Sequence, residues 1–405
     1  MAGFALSGLR ILDFSWVWAG PICTMVLADM GAEVIKIESN QKIDVARVTP
    51  PFPEGVPGGV NRGGQFNTYN RNKKSCTLNL TQQKAIDIAK ELVSKSDVVV
   101  ENFSPPVMGR LGLDYEACRV IRPDIIYLSL SGYGATGPSR NYVSYGMQLQ
   151  AFSGMASLTG YEGGPPRNLG TAVADAVGGL AGVFGILAAL HHRRNTGKGQ
   201  NIDISQCEAL GAFCPEAIMD FMMNKRLAGP AGNRDETMAP HNVYKCRGED
   251  AWVSIAVSTD EEWQGLCGAM GTPDLARDPR YAETSARRRN QKELDKPISE
   301  WTSQRNDYEA MHILQAGGVP AAAVLNNAKM VRDPHLNERG FCIEDDHPET
   351  GKRMISGFSW HLDRTPGGVR SHAPLLGQHN QEIFGDLLGM SEEKIKDLVE
   401  EKIIY

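Results

Sequence analysis

The sequence predicts an α/β protein, with a large domain on a parallel sheet followed by a smaller α+β domain. Three observations carry this. Short apolar runs alternate along the chain with helical stretches, the pattern of strand–helix–strand units. One run, "RPDIIYLSLSG", is apolar without alternation, as in strands covered on both faces. The 405 residues, 41% hydrophobic and 22% charged, suffice for two cores.

The opening "GLRILDFSWVWAGPICTMVLADMGAEVIKIES" reads as a strand at 10–14, a turn, a helix across about 21–30 and a strand at 33–38. The helical "TQQKAIDIAKELVSKS" leads into the strand "DVVVENF", and a later helix into "RPDIIYLSLSG". Right-handed crossovers between parallel strands follow. Asp175 opens a helix of about 20 residues that stops at "NTGKG", and the strand "QNIDIS" completes a large domain over 1–205. A helix at 206–227 and the linker-like "AGPAGNRDETMAPH" fill 206–241. The small domain, 242–325, opens with the strand pair in "NVYKCRGEDAWVSIAV", continues through the charged helical "SARRRNQKELDKPISEWTS" and ends at "GGVPAAAVLN". Residues 326–405, with the final helix "SEEKIKDLVEEKI", return to the large domain.

Composition narrows the function. A net charge of −6 argues against a general nucleic-acid binder, which needs a basic excess. The N-terminus lacks a leader pattern, and no window of about 18 apolar residues escapes interruption by glycine or histidine. The expectation is a cytoplasmic protein without a membrane partner. The eight cysteines include no Cys-x-x-Cys pair, so reduced thiols rather than a metal site are expected.

Several motifs are weaker than they look. "GYGATG" at 132–137 follows a strand, but Pro138 and "SRNYVSYG" stand where a dinucleotide fingerprint needs a helix. "NTGKGQ" has no Ser or Thr after Lys198 and has His192 in place of the first glycine, so it is no phosphate loop. The adjacent His191 and His192 diverge on a helix and cannot share a metal. More informative is a basic group, Arg47, Arg71, Lys73, Lys74 and Arg110, with Asn102 and Phe103 at a strand's carboxyl end. Such a group can hold phosphates and an adenine.

Asp175 has two readings. As a helix N-cap it would stabilise the fold by about 1 kcal/mol. As an under-solvated carboxylate with only Ala174, Ala176, Gly178 and Gly179 crowding it, it could act as a nucleophile.

In order, "GLRILDFSWVWAGP", "LADMGAEVIKIE", "NRNKKSCTLNL", "DVVVENFSPPVMGRLGLDYE", "LSLSGYGATGP", Asp175 and "ILAALHHRRNTGKGQNIDIS" resemble the family III coenzyme A transferases, the CaiB–BaiF family. The likeness is dense over about 8–210 and looser through "GGVPAAAV" to the C-terminus. It implies a Rossmann-like large domain, a small domain and an interlocked dimer, built with a second copy or a paralogous subunit. It implies Asp175 as the catalytic nucleophile and CoA contacts from Arg47, Lys73, Lys74, Asn102, Phe103 and Arg110. CoA thioesters are then substrates, with no permanently bound cofactor, and the partners are an acyl-CoA and a small carboxylic acid. The acyl-CoA racemases of the same superfamily carry "GHD" where this sequence has Tyr145 and Gly146. A racemase or isomerase, or a non-catalytic subunit of a heteromeric transferase, are the alternatives. Trp18 replaces the polar residue of the formyl/oxalate enzymes, and their glycine-rich lid has no counterpart near "AGPAGNRDETMAPH". Trp16, Trp18, Tyr145 and Met147 are expected to line the substrate pocket, pointing to an apolar or aromatic acid of the benzylsuccinate kind, with succinyl-CoA as donor.

Overall fold

The computed structural model describes residues 3–357 and 359–405; residues 1 and 2 of the expected large domain and residue 358 of its C-terminal return lie outside them. Six strands, β1 (Arg10–Asp13), β2 (Glu33–Glu38), β3 (Lys73–Thr77), β4 (Val98–Glu101), β5 (Ile126–Ser131) and β6 (Asn201–Ser205), form one sheet in the order β3-β2-β1-β4-β5-β6. Every neighbouring pair is parallel, as the expected crossovers require. Successive strand residues serve opposite faces. Ile11, Val34, Val98 and Leu128 join the core beneath helix α1 (Ala19–Asp29), whereas Leu12, Ile35, Val99 and Tyr127 join the core beneath helix α2 (Gln83–Ser94). Both faces of the central strands are therefore covered, which is why β4 and β5 read as continuous apolar runs.

Two further helices are the short α3 (Gly146–Phe152) and the long α4 (Val173–Thr196), which packs beside α1 on the sheet over β5 and β6. Glycine interrupts α4 at Gly178, Gly179 and Gly182, all buried, although glycine costs about 1 kcal/mol per helix-interior position. The cost is offset by proximity: a Cβ at Gly179 would lie 2.8 Å from the Ala19 carbonyl oxygen and 3.0 Å from Ile22, and one at Gly182 3.0 Å from Cys23 Sγ. Only glycine lets α1 and α4 lie so close. The expected stop in "NTGKG" is Gly197, left-handed at φ +72°, with its N–H donating to the Arg193 carbonyl at 2.7 Å.

Two local expectations are corrected. Asp175 is not an N-cap: Ala172 occupies that place without a side-chain bond, and Asp175 sits in the first turn. The single helix expected at 206–227 is two, α5 (Gln206–Gly211) and α6 (Pro215–Asn224). Pro215 lacks an N–H and pushes Cys214 out of helical conformation, to φ −121° and ψ 38°.

The described residues form two compact units, one within 3–156, 168–227 and 335–405, the other of 157–167 and 228–334. In the first, the C-terminal Leu398, Ile403 and Ile404 fill the core under α2, and the Asn79 N–H donates to the Ile403 carbonyl at 2.8 Å. In the second, β7 (His241–Lys245), β8 (Trp252–Ala256) and β9 (Ala321–Ala323) form an antiparallel sheet. Its helices bring Trp263, Leu266, Ile298 and Leu314 onto Val253 and Ile255. Segment 157–167 joins this unit through the Gly232 N–H to the Gly160 carbonyl, 2.9 Å, and an Arg234–Glu162 ion pair.

Gly179→Ala should force α1 away from α4 and lower stability by about 1–3 kcal/mol, read as a fall in the urea midpoint at unchanged slope.

Candidate active site

In an open parallel sheet the ligand crevice lies beyond the strands' carboxyl ends, where the strand order reverses. Here that point falls between β1 and β4. A cavity of ≈ 250 Å³ opens there, lined by Trp16 and Val17 after β1, Asn102 and Phe103 after β4, Ser131 and Gly132 at the end of β5, and Asp175.

The Asp175 carboxylate lies beside two helix starts. The backbone N–H groups of Ala19, the first residue of α1, and of Asp175 itself favour the anion, yet burial outweighs them and raises its pKa to about 6. Burial, and then the charge of Asp175, also raise the pKa of Tyr69, whose ring packs against Trp18 at 5.1 Å. Gly146, at the start of α3, leaves room for the carboxylate: a Cβ there would lie 2.2 Å from Asp175 Oδ2.

The loop between β1 and α1 is held from three sides. The Asn102 amide grips the Trp16 backbone, accepting its N–H and donating to its carbonyl, each at 2.8 Å. Val17 adopts φ +66°, costly for a β-branched residue, and its N–H donates to Asp44 at 3.1 Å. Beneath them Asp13, wholly buried, accepts from Ser15, Thr24 Oγ1 and Lys73 Nζ. Burial pushes the Asp13 pKa up, but Lys73, Lys36 and the two hydroxyls outweigh it and hold it below the usual carboxylate value. Burial takes Lys73 down to about 8.

The family model for CoA-transferase family III matches residues 6–380. The chain belongs to family III of the CoA transferases. It is 34% identical to the succinyl-CoA–D-citramalate CoA-transferase of Chloroflexus aurantiacus, covering 98% of each chain, and 36% identical to the succinyl-CoA:mesaconate CoA-transferase of Haloarcula marismortui, covering 94% of this chain and 96% of that one. A crystal structure of a CaiB/BaiF family protein from Brucella suis matches at a TM-score of 0.86 and 30% identity, over 95% of this chain and all of that one. The reaction is the transfer of CoA between an acyl-CoA and a carboxylic acid.

In this CoA transferase the expected site residues separate. Trp16, Tyr145, Asn102, Phe103 and Asp175 all line the cavity, with Phe103 edge-on to Trp16 at 5.5 Å. Trp18 instead turns its indole N–H to Gln65, 3.2 Å, and the exposed Met147 accepts a bond from Gln150; neither lines that cavity. Most of the expected surface cations are internal. Arg47 is fully buried, paired with both Glu38 oxygens at 2.6 Å and stacked over Phe66. Arg71 pairs with Asp29 at 2.7 Å, and Lys73 with Asp13 and Asn70. Their charges neutralise buried carboxylates, as buried charges must. Lys74 is partly exposed but shared by Glu33 and Glu382, which leaves Arg110, exposed at a helix end, as the open cation of the group. Sequence reasoning missed Ser131, Arg140 and Gln206, which also line the cavity. The available signal was their place, at or just after the ends of β5 and β6.

Gly146→Ala should displace the Asp175 carboxylate and lower kcat by about 10²-fold, and Tm should fall too because the added Cβ would lie 2.7 Å from Ala172 Cβ, measured by steady-state transfer and thermal denaturation. Because the raised pKa leaves Asp175 protonated in mild acid, kcat/KM should fall as pH drops through about 6, with that midpoint and not one near the ordinary aspartate value of about 3.9.

Proposed function

We propose that Asp175 is the covalent catalyst of the CoA transfer. The observation that carries this is the position of its carboxylate, on the wall of a cavity at the sheet's switch point, near the start of α1 and under-solvated enough to raise its pKa to about 6. An ionised carboxylate freed from water is the more nucleophilic for it.

One Asp175 oxygen attacks the thioester carbonyl of the donor. The C–S bond breaks, CoA leaves as thiolate, and a mixed anhydride joins the acyl group to Asp175. The thiolate then attacks the Asp175 carbonyl carbon, giving an aspartyl-CoA thioester and freeing the donor's carboxylate. The acceptor carboxylate attacks that thioester, forming a second anhydride and expelling thiolate. Attack of the thiolate on the acceptor's acyl carbon yields the new acyl-CoA and restores Asp175. One thioester replaces another, so no other energy source is needed.

Succinyl-CoA is the proposed donor, in keeping with the donor named for the Chloroflexus and Haloarcula relatives; their named acceptors are D-citramalate and mesaconate. For the acceptor, the ring faces of Trp16, Phe103, Tyr133 and Tyr145 along the cavity support an acid with an apolar or aromatic body, of the benzylsuccinate kind. Arg110, with Phe103 and Asn102 at the end of β4, is the proposed CoA contact. The active form is proposed to be a dimer, with a second copy or a paralogue. Its support is the exposed apolar surface of α4 and α6, including Leu180, Phe184, Leu187, Ile218, Met222 and Met223, since patches of this kind mark interfaces.

Incubating the protein with succinyl-CoA and quenching with hydroxylamine should leave a hydroxamate on the Asp175 peptide in mass spectrometry. Asp175→Ala should abolish transfer while retaining CoA binding. Wild-type transfer by that variant would end the covalent reading.

A further inference from the structure

The cavity over Asp175 has one acidic and one basic side chain in its lining, Asp175 and Arg140. Arg140 lies in the loop between β5 and α3, exposed at the cavity's edge. Its guanidinium has no hydrogen-bond or ion-pair partner among the described residues, unlike Arg47 and Arg71, which are saturated by Glu38 and Asp29.

A second observation comes from the buried wall. Ser131 Oγ and Gln206 Oε1 find no hydrogen-bond partner, although both residues are only 7% exposed, and both line this cavity. Buried polar atoms are ordinarily paired, but these two are themselves closed to solvent, so the charge that the lining offers to a ligand is that of Arg140. Between these groups the wall is apolar or aromatic, with Trp16, Phe103 and Leu149.

Size limits what enters. At ≈ 250 Å³ the cavity is smaller than the ~300–1,000 Å³ of sites that swallow a whole drug-sized ligand. It takes the acyl portion of a thioester and leaves the much larger CoA moiety outside. The lining groups around Asp175, apart from the proposed CoA contacts Asn102 and Phe103, therefore meet the acyl chain. A hydrocarbon acyl group would leave the guanidinium without a counter-ion; a dicarboxylic one supplies it.

We propose that Arg140 determines specificity for dicarboxylic acyl groups, pairing with the carboxylate that is not joined to CoA. Arginine suits the task because its planar fork matches a carboxylate and stays charged at every working pH. The proposal rests on the reading of Asp175 as the transfer site, since that fixes which carboxyl carbon faces the nucleophile.

The test compares succinyl-CoA with butyryl-CoA, a donor of equal chain length without the second charge, in the wild type, Arg140→Met and Arg140→Lys. Binding of free succinate and butyrate is measured in parallel by calorimetry with CoA present. In Arg140→Met the succinyl-to-butyryl ratio of kcat/KM should fall about tenfold or more, with succinate affinity falling likewise; Arg140→Lys should keep part of the preference. A parallel loss for both donors would overturn the proposal and assign Arg140 to a CoA phosphate. Unchanged ratios, or a wild type that binds butyrate as well as succinate, would overturn it too. Arg140-dependent succinate binding without any hydroxamate on Asp175 would uphold the acyl subsite and sink the covalent reading alone.

Discussion

The close approach of α1 to α4 is the constraint on which the site depends. Gly179 and Gly182 replace side chains with backbone, so the start of α1 comes close to the first turn of α4. That single adjacency brings the Ala19 N–H to the Asp175 carboxylate and the loop after β1 to the cavity beside it. A methyl group at Gly179 would meet the Ala19 carbonyl oxygen at 2.8 Å. Packed interiors yield little to such overlaps. Geometry at the carboxylate is therefore set by the helix pair behind it.

The loop between β1 and α1 is the second determinant, and it is secured by charge. Asp13, Lys73, Lys36 and Asp44 are buried together beneath it, with Lys36 Nζ donating to the Ser15 carbonyl and lying 3.5 Å from Asp44. Buried ion pairs give little net stability, and their cost is tolerable only when every partner is bonded. Here they fix one path for the backbone of residues 15–18, including the strained Val17, and so aim Trp16 at the cavity. Packing of apolar groups alone would not select that path, because it places no directional demand on the backbone N–H and carbonyl groups.

Much of the frame was legible before any coordinates. Strand β2 falls where the apolar run of 33–38 put it, and β1, β4, β5 and β6 fall within their runs; β4 and β5, buried on both faces, read as continuous apolar runs, whereas the edge strand β6 alternates exposed polar and half-buried apolar residues. The end of α4 was legible for the same kind of local reason, a glycine needed at a left-handed position. Asp175 could be singled out by its apolar neighbours and by family resemblance. The N-cap reading failed because a helix may begin three residues earlier on Ala172 without a polar cap. The basic group misled in a different way: "NRNKKS" and Arg47 look like solvated cations, but their carboxylate partners Asp13, Asp29 and Glu38 are distant in sequence or hidden in strands.

The sequence by itself determined the periodicities, the stops and the presence of an isolated carboxylate before a glycine-rich helix, since each rests on interactions within a few residues. Which charges face the cavity, which are spent inside the fold, and that Ser131, Arg140 and Gln206 share a wall with Asp175 were decided only by tertiary structure. The physical reason is that burial and pairing belong to no residue alone: they arise when the ends of β1, β4, β5 and β6 converge at the point where the sheet reverses its order.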